Sequence, residues 1–170
     1  MRDPKIKSLR GLLPIRRALR KRGKTVVFTN GCFDLLHAGH VRLFRKAREL
    51  GDVLVVALNT DASVRKLKGP SRPVFPLRER LEVLSAFADI DYVTWFAETT
   101  PRKIVAALVP DVLVKGGDWG PDRVVGRAEV EAAGGKVVIL PYLEGRSSSS
   151  LIDRIKAAAV SPGNSRSNRS

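Results

Sequence analysis

The chain has 170 residues, 44% of them hydrophobic, which is enough for one domain with a substantial core. It contains no run of about 18 apolar residues and no apolar stretch behind the basic N-terminus, so neither a membrane span nor a signal-peptide core is expected; the expected location is cytoplasmic, with no membrane partner. The formal charge of +14 sits mostly at the ends: residues 1–24 hold ten Lys or Arg and one Asp, residues 161–170 hold two Arg, and residues 25–160 hold nineteen basic and sixteen acidic residues, a balance that argues against a dedicated nucleic-acid partner.

Residues 1–24 read as a basic N-terminal helix or arm. The run 25–29, Thr-Val-Val-Phe-Thr, is the first of five short β-branched segments, and a loop and a helix carrying Val41, Phe44 and Ala47 follow it, closed by Gly51. A second strand is expected at 53–58. A polar stretch then leads to a helix opened by Pro76 and lined by Leu77, Leu81, Leu84 and Phe87. The third strand, at 91–95, precedes a helix opened by Pro101 with Ile104, Val105 and Leu108. The fourth, at 111–115, enters a glycine-rich loop and then a helix over 124–133 closed by Gly134. The fifth, at 136–140, is followed by four serines able to cap a last helix over 151–159. Residues 161–170 lack an apolar anchor and are expected to be a disordered tail, so residues 25–160 form the predicted domain.

Runs this short and apolar suit strands buried on both faces. Their alternation with helices predicts an α/β fold, a Rossmann-like doubly wound sheet of five parallel strands in the order 3-2-1-4-5. That order brings the carboxyl ends of the first and fourth strands together at the switch point, where such sheets bind ligands. The two loops there hold the least ordinary residues of the chain, 30–40 and 115–120.

Both histidines of the protein lie in His37-Ala38-Gly39-His40, where the first loop feeds a helix. The free amides and dipole of a helix start favour an anion. Gly39 lets a phosphate approach the backbone, and imidazoles three residues apart share one side of a helical turn. Two readings stay open on spacing alone: a polyphosphate site, or a metal-binding or capping pair, although no third ligand stands nearby to complete a zinc site. Cys32 is the only cysteine, which excludes an internal disulfide and reads as a small apolar filler.

The longer segment, residues 28–40 with their Gly31-Cys32-Phe33-Asp34 and the HxGH that follows, resembles the signature of the cytidylyltransferase-like nucleotidyltransferase superfamily. The resemblance extends from about residue 24 to 156 through Asn59-Thr60-Asp61, Leu67-Lys68-Gly69-Pro70, Arg78-Glu79-Arg80, Lys115-Gly116-Gly117-Asp118-Trp119 and Glu144-Gly145-Arg146-Ser147-Ser148-Ser149. Within that superfamily the last two segments are most similar to adenylyltransferase domains that make ADP-heptose from ATP and D-glycero-D-manno-heptose 1-phosphate. Tyr142 stands where the cytidylyltransferases for glycerol phosphate or choline phosphate carry an arginine, which favours ATP over CTP.

The resemblance implies an enzyme that binds ATP as substrate with Mg²⁺, takes a sugar phosphate as partner and forms a homodimer. Its rivals are a cytidylyltransferase acting on glycerol phosphate or another small phosphorylated alcohol, and a nucleotide-binding module without chemistry. It assigns His37, His40, Lys68 and Lys115 to catalysis. It places the nucleotide against Thr29, Asn30, Gly31, Cys32, Phe33, Gly39, Arg80, Ser147, Ser148 and Ser149, and the acceptor near Asp34, Asn59, Asp118 and Trp119, with no metal ligand assigned. Asp34 would orient an imidazole or approach magnesium. Charge agrees with this inventory: two like charges about 4 Å apart repel by about 4 kcal/mol at an effective dielectric of ~20, so joining two polyanions needs cations. The acceptor phosphate is already an anionic nucleophile, and no general base is required.

Overall fold

The computed structural model describes residues 3–117 and 123–141, together with 151, 152 and 155. Five strands, β1 (Val26–Gly31), β2 (Val53–Asn59), β3 (Tyr92–Phe96), β4 (Val112–Gly116) and β5 (Lys136–Leu140), form one parallel sheet in the order β3-β2-β1-β4-β5. The predicted order is the observed one. β1 is central, with Thr29 facing Val56 on one side and Val114 on the other.

Alternate residues of the strands supply two cores. Val27, Val56, Leu58 and Val114 pack with Phe44, Leu81 and Leu84 on one face. Phe28, Val55, Ala57 and Leu113 pack with Leu12, Ile104, Val105, Leu108 and Val130 on the other. Period-two alternation with both faces apolar is what a covered parallel sheet demands, and each fully buried Leu or Phe contributes about 1.5–3 kcal/mol. Phe28, Phe44, Leu58 and Leu113 are completely buried.

Among the described residues, six helices flank the sheet: α1 (Leu9–Lys21), α2 (Ala38–Arg48), α3 (Asp61–Lys68), α4 (Leu77–Ser85), α5 (Arg102–Leu108) and α6 (Arg127–Ala132). Two depart from the sequence reading. α3 lies in the stretch expected to be irregular; Thr60 caps it by accepting from the Ser63 amide at 3.4 Å, and only Ser63 and Val64 are buried, so its apolar periodicity is too weak to read. α6 begins at 127 instead of 124 because Gly126 has φ 97, outside helical space, with room for no Cβ beside Val105.

The basic N-terminus is attached to the body. Lys7 donates to the Val93 carbonyl and Val93 to that of Lys5, both at 2.9 Å, covering the edge of β3. Leu12 and Arg16 of α1 are buried, and the Arg16 guanidinium bonds the Leu108 and Val109 carbonyls and pairs with Asp111 at 2.8 Å. No described helix is long and apolar enough to cross a membrane.

Carboxylates close the amino end of the sheet. Asp52 accepts from the Thr25 amide at 2.8 Å, Asp111 from Val26 at 2.7 Å and Asp91 from Leu54 at 2.7 Å, each satisfying a strand-end donor of its neighbour. These three acids thus lie at one end of the strands, while the histidines and Lys115 lie at the other.

Candidate active site

The loop after β1 builds the site. Phe33 holds φ 44, a left-handed conformation that costs about 1–3 kcal/mol for a side-chain-bearing residue and persists only where packing enforces it. Its ring stands edge-on to His40 with centroids 5.4 Å apart and meets Phe44 at 5.3 Å. A Cβ on Gly31 would lie 3.0 Å from that ring, so glycine is what lets Phe33 fold back under the imidazole.

His37 is the N-cap of α2. Its Nδ1 accepts from the Gly39 amide at 3.1 Å, and His40 Nδ1 accepts from the His37 amide at 3.3 Å, a reciprocal cap that satisfies two orphan donors of the helix start. A neutral imidazole whose Nδ1 accepts carries its proton on Nε2, so each ring presents one N–H donor. The two rings lie 4.0 Å apart between centroids. Burial, with the His37 charge second, pushes the His40 pKa down to about 4, so His40 is neutral at pH 7. A Cβ on Gly39 would come within 2.8 Å of His37 Cε1; glycine here makes room for the His37 ring as well as opening the backbone.

Lys115 ends β4 beside this loop. Burial lowers its pKa to about 8, and no carboxylate pairs with it among the described residues. The β1–β4 ladder runs as far as Thr29 opposite Val114, one residue before Asn30 and Lys115, and the Asn30 Oδ1 is buried without a hydrogen-bond partner. A desolvated cation and an unsatisfied acceptor at this end of the sheet leave polar capacity for a ligand, the cation for an anion and the acceptor for a donor. Thr29 is buried in the sheet. Cys32 is half-buried; burial raises its thiol pKa, while Lys68, Arg80 and Arg72 pull it down, which places three cations about the same loop. Its Sγ lies 3.9 Å from Asn59 Oδ1.

Several expected site residues are already engaged elsewhere. Asp34 meets neither histidine: it accepts from Arg72 Nε at 2.6 Å, from the Val74 amide at 2.8 Å and from the Phe75 amide at 3.0 Å. Burial alone would raise its pKa, but these bonds hold the carboxyl below the usual range. Arg80 is 2% exposed and bonds the Cys32 carbonyl, the Phe75 carbonyl and Asp61, so its guanidinium braces the loops from behind. Asn59 donates to Ser63 Oγ at 2.9 Å. Lys68 is exposed at the end of α3. Asp118, Trp119, Ser147, Ser148 and Ser149 lie outside the described residues.

Sequence reasoning missed Arg72. Its signal was an arginine beside a proline in a short apolar segment, too common to stand out. Among the described residues no group of three or more His, Cys, Asp or Glu is placed to hold a metal ion. Asp34, within the loop, and Asp61, at the start of α3, are both taken by arginines. These donors do not fit a resident magnesium site.

Comparison with known proteins agrees with this geometry. The family described as cytidylyltransferase-like matches residues 28–154. The chain is 53% identical over 153 residues to the bifunctional protein HldE of Syntrophotalea carbinolica, covering 90% of this chain and 31% of that protein. It is 55% identical over 153 residues to the bifunctional protein HldE of Citrifermentans bemidjiense, with the same coverage of 90% and 31%. It therefore spans about a third of the curated relatives it matches. Among solved structures, a lipopolysaccharide core biosynthesis protein from Thermoplasma volcanium superposes with a TM-score of 0.59 at 28% identity, over 73% of this chain and 100% of that one.

Proposed function

Since the chain belongs to the cytidylyltransferase-like family of nucleotidyltransferases, we propose that it is an adenylyltransferase joining ATP and D-glycero-D-manno-heptose 1-phosphate to give ADP-heptose and pyrophosphate. The heptose assignment is supported by the identity to HldE proteins over 90% of the chain and by the segments around Lys115 and Ser147. The observation that carries the chemistry is the reciprocal histidine cap.

An oxygen of the sugar phosphate attacks the α-phosphorus in line, the bond from that phosphorus to the bridging oxygen breaks, and pyrophosphate leaves with the electron pair. Nothing need remove a proton from the nucleophile. His37 and His40 donate from Nε2 to the phosphoryl oxygens on which charge builds. Because their Nδ1 atoms are held by the backbone, little reorganisation occurs at the moment of reaction. Lys115 supplies a cation whose attraction is strengthened by its desolvation, and Lys68 approaches from α3. Magnesium arrives as part of the MgATP substrate, offsetting charge on the triphosphate, in keeping with an ion that favours phosphates over all-protein cages.

Pyrophosphate release over a panel of ATP and CTP with heptose 1-phosphate, glycerol 3-phosphate and FMN tests the assignment. The expected result is turnover with ATP and heptose 1-phosphate. Turnover confined to CTP and glycerol 3-phosphate overturns the donor and acceptor together. Nucleotide binding without release under any pairing identifies a non-catalytic module.

A further inference from the structure

The segment between α3 and α4, residues 69–76, presents a physical problem. Its apolar side chains face solvent, with Val74 50% and Phe75 44% exposed, so burial does not hold it in place. It is held by the loop that leads to the histidines. The Asp34 side chain is fully buried and its oxygens accept from Arg72 Nε and from the backbone amides of Val74 and Phe75, the Val74 amide reaching both at 2.8 and 2.9 Å. That uses about all of the acceptor sites a carboxylate has. From the other side, Arg80 grips the carbonyls of Cys32 and Phe75, one in each loop, and pairs with Asp61 at the start of α3.

The clamped segment begins at Lys68. Gly69 caps α3 with φ 95, and the Arg72 amide closes a turn onto the Gly69 carbonyl at 3.2 Å. Arg72 is therefore one turn away from Lys68, and wherever Asp34 holds Arg72, the end of α3 follows. Lys68, Arg80 and Arg72 all act on the Cys32 thiol, whose pKa their charges lower against the effect of burial.

We infer that Asp34 and Arg72 form a latch that fixes the 69–76 segment against the nucleotide loop and so sets where Lys68 stands relative to the triphosphate. Both are positioning residues. Their described bonds are to each other and to the backbone of the segment, and the inference rests on the adenylyltransferase reading only in naming a triphosphate as what Lys68 meets. The latch also explains why a buried aspartate follows the strained Phe33: one short loop both shapes the histidine pair and carries the anchor for the opposing wall of the site.

A double-mutant cycle tests it, with MgATP binding to the full chain read by calorimetry and amide exchange read at Val74 and Phe75. Asp34→Asn keeps the side-chain shape but removes the charge paired with Arg72. It should weaken MgATP binding about tenfold when Lys68 is present and by less than about twofold in a Lys68→Ala background, because a residue acting through another has nothing left to act on. Exchange at Val74 and Phe75 should rise about tenfold or more in either background. Should Asp34→Asn fold poorly, Arg72→Gln leaves the amide contacts intact and should show the same dependence on Lys68. Losses that multiply across the two sites, or unchanged exchange at Val74 and Phe75, overturn the latch. Failure of the unmodified protein to bind either ATP or CTP overturns the functional reading instead, and exchange at the two amides still decides whether the latch exists.

Discussion

The two loops at the carboxyl end of the sheet solve the problem of holding an anion in opposite ways. On the β1 side the two imidazoles are engaged before any ligand arrives: both accept from the backbone they cap, and the same contacts that start α2 fix their tautomer. On the β4 side the charge waits. Lys115 has lost water without gaining a carboxylate among the described residues. The first arrangement stabilises the fold and the reaction together. The second leaves a desolvated cation whose cost to the fold a bound anion would offset.

The largest effect should come from splitting the two duties of the histidine cap. His37→Ala removes cap and donor; turnover should fall about 10²- to 10³-fold, as for loss of a preorganised donor, and stability by ~1 kcal/mol, as for loss of an N-cap. His37→Asn supplies a good capping oxygen at the same place without the imidazole N–H. It should recover most of the melting temperature and little of the turnover. Recovery of both by Asn would mean that the ring is only a cap, and the proposed chemistry would lose its main support.

Lys115→Met should separate binding from stability in the reverse sense. MgATP binding should weaken about 10- to 100-fold, consistent with loss of ~1–3 kcal/mol from a charge-assisted contact. The apo protein should become more stable at pH 7. The sign follows from linkage: the folded pKa of about 8 lies below the ordinary 10.5, so the unfolded chain holds this proton more tightly. The destabilisation is complete below pH 8 and fades as pH rises from 8 to 10.5. Urea unfolding of both proteins at pH 7 and pH 10 should show the variant's advantage shrinking at the higher pH. An equal or larger advantage at pH 10 would show that Lys115 is not desolvated as the structure has it.

How much of this was written in the sequence follows the kind of interaction involved. The strand order was legible because five β-branched runs alternate with helical spacing and a right-handed crossover leaves few topologies. The histidine site was legible because its residues are contiguous: cap, glycine and second imidazole fall within four positions. Asp34 and Arg80 were legible as unusual residues but not in their roles, since Asp34 answers to donors at 72–75 and Arg80 to carbonyls at 32 and 75. Contacts between loops separated by some forty residues leave no periodicity. Arg72 had only the weak local signal of an arginine beside a proline, and Arg16, one of many basic residues in the N-terminal segment, gave no sign that it would be buried against Asp111. α3 escaped for a related reason, because a helix that buries two residues hardly differs in pattern from a polar loop.

The smallest expected effect lies in the acid range, where the contrast between the two loops should disappear. Between pH 7 and pH 5 Lys115 stays largely protonated, and His40, with its pKa near 4, stays largely neutral. In a His37→Asn background, which removes the other imidazole, MgATP binding corrected for the ligand's own protonation should therefore change by less than about twofold. The imidazole signals of His40 in a pH titration by NMR should move near pH 4 and not near 6.5. Its cap is then lost in the same step, because a protonated ring has no lone pair on Nδ1 to accept from the His37 amide. Stability should accordingly begin to decline as pH falls through 6.5, where the unfolded chain first takes up the proton, and continue to decline until about pH 4. A His40 midpoint near 6.5 would mean that the ring is not desolvated as the structure has it, with protonation breaking the bonds that position it just below neutral pH, and would require the donor to be sought on the β4 side.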